Sequence, residues 1–432
     1  MYKFIIEGDR ELNGSVRISG SKNAVLPILA ATLLTNEQSV LHNVPDLADV
    51  KLMLEILEEL GCKTSFANGT VVVKPIDISR TLASYELVSQ MRASFCVLGP
   101  LLANRKRATV SLPGGCVIGV RPVDLHLKGM RELGAKIEIE HGYVHASADK
   151  LVGKRIFLGG NAGSTVTGTA NVMMAAIFAE GTTIIEQAAP EPELESLAQF
   201  LTKMGAKIKG AGSHKIEIEG VENLTGTEFT IMPDRMEAAT FAVAAAITHG
   251  DVTLTNVVPE HLFAVLEKLN EAGAEIDFSN NDEIRIIGKD IRPTDIVTFP
   301  YPGFPTDAQA PFVALLSVAS GLSIVTDTIY PDRFMHVAEM NRMGANIRKQ
   351  NNSAIITGVK ALSGAPVMGS DLRATASLVL AGLVAKGTTE VHRIYHLDRG
   401  YEKMEVKLQK LGAQIERAEY TPRRRKSDRQ AA

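Results

Sequence analysis

Two groups of residues in this chain have the types and spacing to do chemistry. The first centres on Cys116, in the run Ser111-Leu112-Pro113-Gly114-Gly115-Cys116-Val117-Ile118-Gly119-Val120-Arg121-Pro122. Proline and glycine on both sides describe a loop, not a core. Arg121 close by favours the thiolate, the nucleophilic form of cysteine. Cys96 falls in an apolar helical pattern and Cys62 at a helix end, so both read as inert buried thiols.

The second group stands at the starts of helical patterns. Lys22-Asn23, Met91-Arg92, Ser164-Thr165, Asp234-Arg235, Asp307 and Asp371-Leu372-Arg373 open uniformly apolar runs. Arg121-Pro122-Val123-Asp124, Asp332-Arg333 and Asp398-Arg399 stand near the starts of amphipathic ones. Free backbone N–H groups and the helix dipole favour anions there. Arginine adds a planar fork matched to phosphate and carboxylate. Asp234, Asp307 and Asp371 are also ordinary N-cap residues, and a single arginine often pairs with a surface acid. Taken together, Lys22, Arg92, Arg121, Arg333, Arg373 and Arg399 describe a cleft for ligands carrying several negative charges.

Other signatures fail. There is no GxxxxGK[ST], no HExxH and no GxGxxG after a strand. His392 and His396 are four apart, but His-Arg-Ile-Tyr-His reads as strand and no third metal ligand accompanies it. Ser19-Gly20-Ser21-Lys22 fits SxxK, a weak four-letter signal without the KTG that should accompany it.

The elements that must position these residues repeat. Leu60-Gly61-Cys62, Leu133-Gly134-Ala135, Met204-Gly205-Ala206, Ala272-Gly273-Ala274, Met343-Gly344-Ala345 and Leu411-Gly412-Ala413 are six copies of one phrase, with glycines 73, 71, 68, 71 and 68 residues apart. Each closes an amphipathic helix, as Val50, Met53, Leu57 and Leu60 mark in the first copy. The glycine fits a left-handed C-cap, and an alternating strand follows it. Upstream of each lies an apolar helix: Asn23–Leu34, Arg92–Leu102, Thr165–Ala179, Arg235–Thr248, Asp307–Ser320 and Leu372–Ala385. Helices apolar all round are buried.

The sixth copy lacks its returning strand. Phe4-Ile5-Ile6-Glu7-Gly8 matches Ile216-Glu217-Ile218-Glu219-Gly220, so the N-terminus is expected to complete it. Six repeats divide into two lobes of three. One spans 22–231 and carries the Cys116 loop; the other joins 1–21 to 232–420. The chain then crosses between lobes twice, leaving an interlobe cleft as the expected ligand site. The basic stretch 421–432, with Arg423-Arg424-Arg425-Lys426, reads as a disordered tail.

Composition narrows the classes. The 432 residues suggest two to four domains at roughly 100–200 residues each. The net charge of −3, the absence of Trp and 5% aromatics argue against nucleic-acid binding. Three cysteines form neither a disulfide framework nor a zinc signature. The start has too short an apolar run for a signal peptide, and no apolar stretch approaches the about 18 residues of a membrane span. A cytoplasmic protein without membrane contact is expected.

The motifs themselves are familiar. Ser19-Gly20-Ser21-Lys22-Asn23, Pro113-Gly114-Gly115-Cys116 with Arg121-Pro122-Val123-Asp124-Leu125-His126, Phe304-Pro305-Thr306-Asp307, Arg333-Phe334-Met335-His336, Asp371-Leu372-Arg373 and Asp398-Arg399-Gly400-Tyr401-Glu402 resemble the UDP-N-acetylglucosamine 1-carboxyvinyltransferase family in order and spacing, to about residue 417. The resemblance implies an α/β fold of two inside-out α/β barrel lobes, each of three repeats. It implies transfer of enolpyruvyl from phosphoenolpyruvate to the 3-hydroxyl of UDP-N-acetylglucosamine, with release of phosphate. Addition and elimination through a tetrahedral phospho-ketal would need no cofactor and no metal.

Carried onto this sequence, the resemblance gives Lys22, Arg121 and Arg399 to phosphoenolpyruvate and Asn23 to the transferring centre. Asp307 accepts the sugar hydroxyl proton. Cys116 donates a proton, forms the phosphoenolpyruvate adduct and is the thiol that fosfomycin alkylates. Arg92, Arg121, Pro122, Val123, Asp124, Leu125, Asp307 and Ile329 bind the nucleotide sugar. Arg333 belongs to the same cleft, and Asp371 and Arg373 orient it. The Cys116 loop closes as a lid. The sister enzyme acting on shikimate 3-phosphate has the same repeats but is disfavoured by the Pro-Gly-Gly-Cys loop. Two positions depart from the pattern. Some relatives carry lysine where Ala48 stands, and lysine two before a serine in the stretch Leu158-Gly159-Gly160-Asn161-Ala162-Gly163-Ser164. The sequence leaves the oligomeric state open.

Overall fold

The computed structural model describes residues 2–114, 123–160 and 163–420. Among them, six sheets of four strands surround two groups of buried helices. Each sheet has one plan. In the second repeat Leu82–Ala83 runs parallel to Arg107–Ser111, which pairs antiparallel with Tyr143–Ser147, itself antiparallel to Lys136–Glu140. The hairpins follow the sequence alternation, with Ile137 and Ile139 against Ala146 and Val144.

Two strands close the rings. Glu228–Thr230, at the end of the third repeat, pairs parallel with Ser39–His42 in the first. Asn13–Arg17 pairs parallel with Asp251–Thr255 in the fourth. The N-terminal strand Tyr2–Glu7 lies between Thr388–His392 and Gln414–Glu419, antiparallel to both, which supplies the strand that the sixth repeat lacks. The two connections between the rings lie side by side. Gly20 bridges Pro233, Ser21 N–H donates to the Met232 carbonyl at 2.7 Å, and Asp234 N–H donates to the Ser19 carbonyl at 2.9 Å.

The inside-out order follows from hydrophobicity. Helices Lys22–Ala31, Leu98–Arg105 and Val166–Ala176 pack on one another in one lobe; Arg235–Ile247, Thr306–Leu316 and Leu372–Val384 do so in the other. All thirteen residues of Arg235–Ile247 are buried. One apolar core draws on residues 24–231, the other on residues 4–18 and 238–415. The six repeat glycines, Gly61, Gly134, Gly205, Gly273, Gly344 and Gly412, all have φ between 83° and 114°, so each amphipathic helix ends in the left-handed turn read from the sequence.

Several element boundaries differ from expectation. The run from Arg92 begins as a 3-10 helix, Arg92–Val97, and turns α only at Leu98–Arg105. Pro100 explains this: it has no N–H to give, so it fits the first turn of an α-helix and not its interior. The runs from Thr165 and Asp307 end as α-helix at Ala176 and Leu316, short of Ala179 and Ser320. His392 ends its strand, Arg393 is left-handed at φ 60°, and His396 falls in the 3-10 helix Ile394–Arg399. The last amphipathic helix starts at Met404, beyond Asp398-Arg399, and His336–Arg342 starts one turn after Arg333. Arg333 therefore stands in a loop, and Arg399 stands at the end of the 3-10 helix, not at the start of an α-helix.

Candidate active site

The connection between rings places the first cation. Ser21 caps helix Lys22–Ala31 by accepting from Ala24 N–H. Asp234 caps the next lobe's helix, with Oδ1 accepting from Met236 and Glu237 N–H at 2.8 and 3.0 Å. Its Oδ2 also accepts the Lys22 N–H at 3.0 Å. One aspartate thus fixes two helix starts in two lobes.

Lys22 reaches Asp49, with Nζ 2.6 Å from Oδ2. Arg399 grips the same carboxylate, Nε to Oδ1 at 2.8 Å and Nη2 to Oδ2 at 3.3 Å. Asp49 sits in the first turn of helix Ala48–Glu59 and is only 3% exposed. Burial alone would raise its pKa; Lys22 and Arg399 outweigh burial and hold it below the ordinary value. Asp49 was not singled out in the sequence. It obeys the rule that found Asp234 and Asp371, an acid at a helix start, but the helix it opens is amphipathic.

A second cluster centres on Asp307, at the start of helix Thr306–Leu316. Oδ1 accepts from Arg333 Nη1 at 2.7 Å. Oδ2 accepts from Arg373 Nε and Nη2 at 3.1 and 3.0 Å. Burial pushes the Asp307 pKa up, but the two guanidiniums overcome it and hold the carboxyl far below the usual range. Asp371 caps helix Leu372–Val384 through the N–H groups of Arg373 and Ala374 and so fixes where Arg373 starts. Arg373 Nη1 donates to the Tyr401 hydroxyl at 2.8 Å, which also contacts Thr240 Oγ1 at 2.8 Å.

The short loop Arg399-Gly400-Tyr401 therefore serves both clusters: Arg399 reaches Asp49, and Tyr401 holds Arg373. Gly400 lets it pass, since a Cβ there would stand 2.6 Å from Leu372 Cδ2. Arg373 also feels the charge of Asp234, which links the clusters electrostatically.

The remaining predicted residues stand on separate elements of the two lobes. Asn23 is exposed one residue after Lys22, and Arg92 opens its 3-10 helix half-buried. Val123, Asp124 and Leu125 start helix Asp124–Glu132, with Leu125 against Gly160: a Cβ on Gly160 would stand 3.1 Å from Leu125 Cδ1. Gly163 faces Pro300 of the other lobe, whose Cγ would stand 3.4 Å from a Cβ at that position. Ile329 is fixed through its N–H, which donates to Asp327 Oδ1 at 2.9 Å. Asp327, fully buried, also accepts from Tyr330 N–H and from the hydroxyls of Thr298 and Thr306. No sequence signal marked it. Cys116, Arg121, Pro122 and Asn161 lie outside the described residues, as does the tail 421–432.

Buried titratable groups support this framework. Burial pushes the Cys62 thiol up to about 11 and the Cys96 thiol up to about 12, so both stay protonated. His126 is 2% exposed and held between Thr167 Oγ1 at 3.2 Å and Asn171 Nδ2 at 3.0 Å. Asn171 also accepts from Gly99 N–H at 2.6 Å, tying the helix Asp124–Glu132 to two buried helices. Burial lowers the His126 pKa to about 3, so the ring is neutral. Among the described residues, no group of three or more His, Cys, Asp or Glu is arranged to hold a metal, and no helix is long and apolar enough to cross a membrane.

Known proteins resemble the whole chain. Residues 6–408 match the family described as EPSP synthase (3-phosphoshikimate 1-carboxyvinyltransferase). A UDP-N-acetylglucosamine 1-carboxyvinyltransferase of Methylacidiphilum infernorum is 56% identical over 418 residues, 96% of this chain and 99% of the relative. UDP-N-acetylglucosamine 1-carboxyvinyltransferase 2 of Carboxydothermus hydrogenoformans is 54% identical over 421 residues, with the same coverage. Among solved structures, the enolpyruvyl transferase NikO from Streptomyces tendae superposes with a TM-score of 0.87 at 23% identity, covering 97% of this chain and 99% of its own. EPSP synthase from Acinetobacter baumannii gives 0.72 at 20% identity, covering 97% and 100%. These two likenesses concern the fold.

Proposed function

This chain belongs to the UDP-N-acetylglucosamine 1-carboxyvinyltransferase family, within the wider EPSP synthase family, and from that premise we propose its reaction and the work of its residues. It is a transferase that moves enolpyruvyl from phosphoenolpyruvate to the 3-hydroxyl of UDP-N-acetylglucosamine, releasing phosphate. This is the first committed step of peptidoglycan synthesis. The observation that carries the reading is whole-length identity above one half to relatives of that name, 56% and 54%. The two clusters of cations, Lys22 with the part-exposed Arg399 and the buried Arg333 with Arg373, fit its anionic substrates.

Lys22 and Arg399, with Arg121, hold the phosphate and carboxylate of phosphoenolpyruvate. Asp49 keeps the first two cations together until the substrate's charges share them. Asn23 touches the reacting centre. Arg92, the run from Arg121 to Leu125, and Ile329 hold the nucleotide sugar. Asp307 orients the 3-hydroxyl, accepting its hydrogen bond and then its proton as oxygen adds to C2 of phosphoenolpyruvate. Cys116 delivers a proton to C3, giving the phospho-ketal. Loss of a proton from C3 then expels phosphate and restores the double bond. Arg333 and Arg373 keep Asp307 ionised and aimed, and Asp371 caps the helix that presents Arg373. Lobes of 22–231 and of 1–21 with 232–420 close over the substrates, in the cytoplasm, and Cys116 is the thiol open to fosfomycin.

Phosphate release tests the reading, with UDP-N-acetylglucosamine and shikimate 3-phosphate as separate acceptors. Release with the nucleotide sugar alone is expected. Release with shikimate 3-phosphate alone would overturn the acceptor.

A further inference from the structure

The Arg399 loop continues to Glu402, whose carboxylate joins both lobes. Oε1 accepts the main-chain N–H of Asp46 at 2.8 Å, three residues before Asp49. Oε2 accepts the hydroxyl of Ser19 at 2.5 Å, three residues before Lys22. Ser19 belongs to the connection between lobes and is itself held. Its N–H donates to Glu237 Oε2 at 2.7 Å, and its Oγ accepts from Lys407 Nζ at 2.8 Å. Lys407 pairs with Glu237 Oε1 at 2.6 Å, and Glu237 is 1% exposed.

One carboxylate therefore touches the two segments that present Lys22 and Asp49, and it stands three residues from Arg399. These are the three side chains of the first cluster. The Asp46 carboxylate pairs with Lys51 Nζ at 2.7 Å, one turn into the helix it leads into, and that helix has no side-chain cap at Leu47, so Glu402 is the contact that ties Asp46 N–H to the other lobe. Glu402 and Lys407 also wall a cleft of about 820 Å³ shared by Ser19, Asn43 and Pro45. The bonds of Glu402 can thus break and re-form against water as the lobes move.

We propose that Glu402 is a positioning residue that couples closure of the lobes to assembly of the Lys22–Asp49–Arg399 cluster. Two-point attachment at Asp46 N–H and Ser19 Oγ sets the distance between helix Ala48–Glu59 and the start of helix Lys22–Ala31. Arg399 then meets Asp49 at the geometry that phosphoenolpyruvate requires. This rests on the reaction assigned above.

The test compares Glu402→Ala and Glu402→Gln with the unaltered chain in the phosphate-release assay, with melting temperatures and small-angle scattering with and without UDP-N-acetylglucosamine. Glu402→Ala should raise the KM for phosphoenolpyruvate about tenfold while the KM for the nucleotide sugar stays within about twofold. Glu402→Gln, which keeps one acceptor oxygen, should recover part of the loss. An equal rise in both KM values, an unchanged phosphoenolpyruvate KM, or equal effects of Ala and Gln would overturn the proposal. Should the unaltered chain release no phosphate with this acceptor, the reaction assignment falls, and scattering decides alone. Glu402→Ala must then adopt a more open average shape than the unaltered chain, and identical profiles would refute the coupling.

Discussion

Asp307 and Arg373 are 66 positions apart in sequence, yet two nitrogens of one guanidinium hold the same carboxylate oxygen at 3.1 and 3.0 Å. Arg373 is 3% exposed and stands at the start of its helix because Asp371 caps it. The carboxylate proposed to meet the sugar hydroxyl is thus held ionised by the two guanidiniums beside it.

That pairing fixes a pH dependence. The Asp307 pKa is lowered from the model-peptide value of 3.8. Its contribution to stability is present above that value and is lost only as pH falls through the lower folded value. Asp307 should therefore not set the acid limb of activity in the unaltered chain. In Arg333→Met the carboxyl keeps one cation and its pKa should rise, moving the acid limb of kcat to higher pH. A pH–rate profile of that variant, superimposable on the unaltered one, would show that the guanidinium does not govern this carboxylate.

Replacing Asp307 should separate chemistry from folding. Asp307→Ala removes the acceptor of the hydroxyl proton and leaves Arg333 and Arg373 facing each other, 7% and 3% exposed. Uncompensated buried charge costs about 3–5 kcal/mol. Turnover should vanish and the melting temperature should fall, with the folded circular dichroism spectrum retained at low temperature. Measurable turnover at the unaltered rate would remove Asp307 from the mechanism.

The first cluster makes a different demand. Asp49→Asn leaves Lys22 and Arg399 without their shared anion, but Arg399 keeps 37% of its side-chain surface. Solvent screening reduces the stability cost to about 1–3 kcal/mol. Misplacement of both cations should lower kcat/KM for phosphoenolpyruvate about a hundredfold. Steady-state kinetics with phosphoenolpyruvate varied at saturating acceptor would read this directly.

How much of this was legible in the sequence follows physical lines. The repeat, the left-handed glycines, the buried helices and the strand borrowed from the N-terminus are local periodicities, and they were readable. Lys22, Asp307, Arg333, Arg373 and Arg399 stood out because helix starts collect such residues. Asp49 and Glu402 did not, because their roles depend on which loop of one lobe meets which helix of the other. Asp327 was invisible for a similar reason: its partners Thr298, Thr306, Ile329 and Tyr330 come from three separate segments. Boundaries failed where one residue, Pro100 or Arg393, broke an otherwise regular pattern.

The two stretches expected to depart from the family pattern are separable by their surroundings. Ala48 is exposed at the start of its helix, so Ala48→Lys adds a charge without crowding. At Gly159 a Cβ would stand 2.5 Å from the Phe157 ring, so Gly159→Lys must displace that side chain. Ala48→Lys should lower the KM for UDP-N-acetylglucosamine, by an amount that shrinks as salt is raised. Gly159→Lys should lower the melting temperature whatever it does to affinity. A salt-independent KM in Ala48→Lys would place the diphosphate elsewhere.

Thiol chemistry offers the sharpest selectivity. Alkylation needs the thiolate, and burial pushes Cys62 up to about 11 and Cys96 up to about 12 while leaving them 4% and 1% exposed. At neutral pH neither should react in the folded chain. Cys116, flanked by glycines and followed by Arg121, carries the composition of a reactive loop thiol. Incubation with fosfomycin should add the mass of one molecule, and Cys116→Ser should add none. Prior unfolding should expose Cys62 and Cys96 to a general alkylating agent, so that all three thiols are then modified. A single adduct that persists in Cys116→Ser would locate the reactive thiol at one of the buried positions and contradict the role given to the loop.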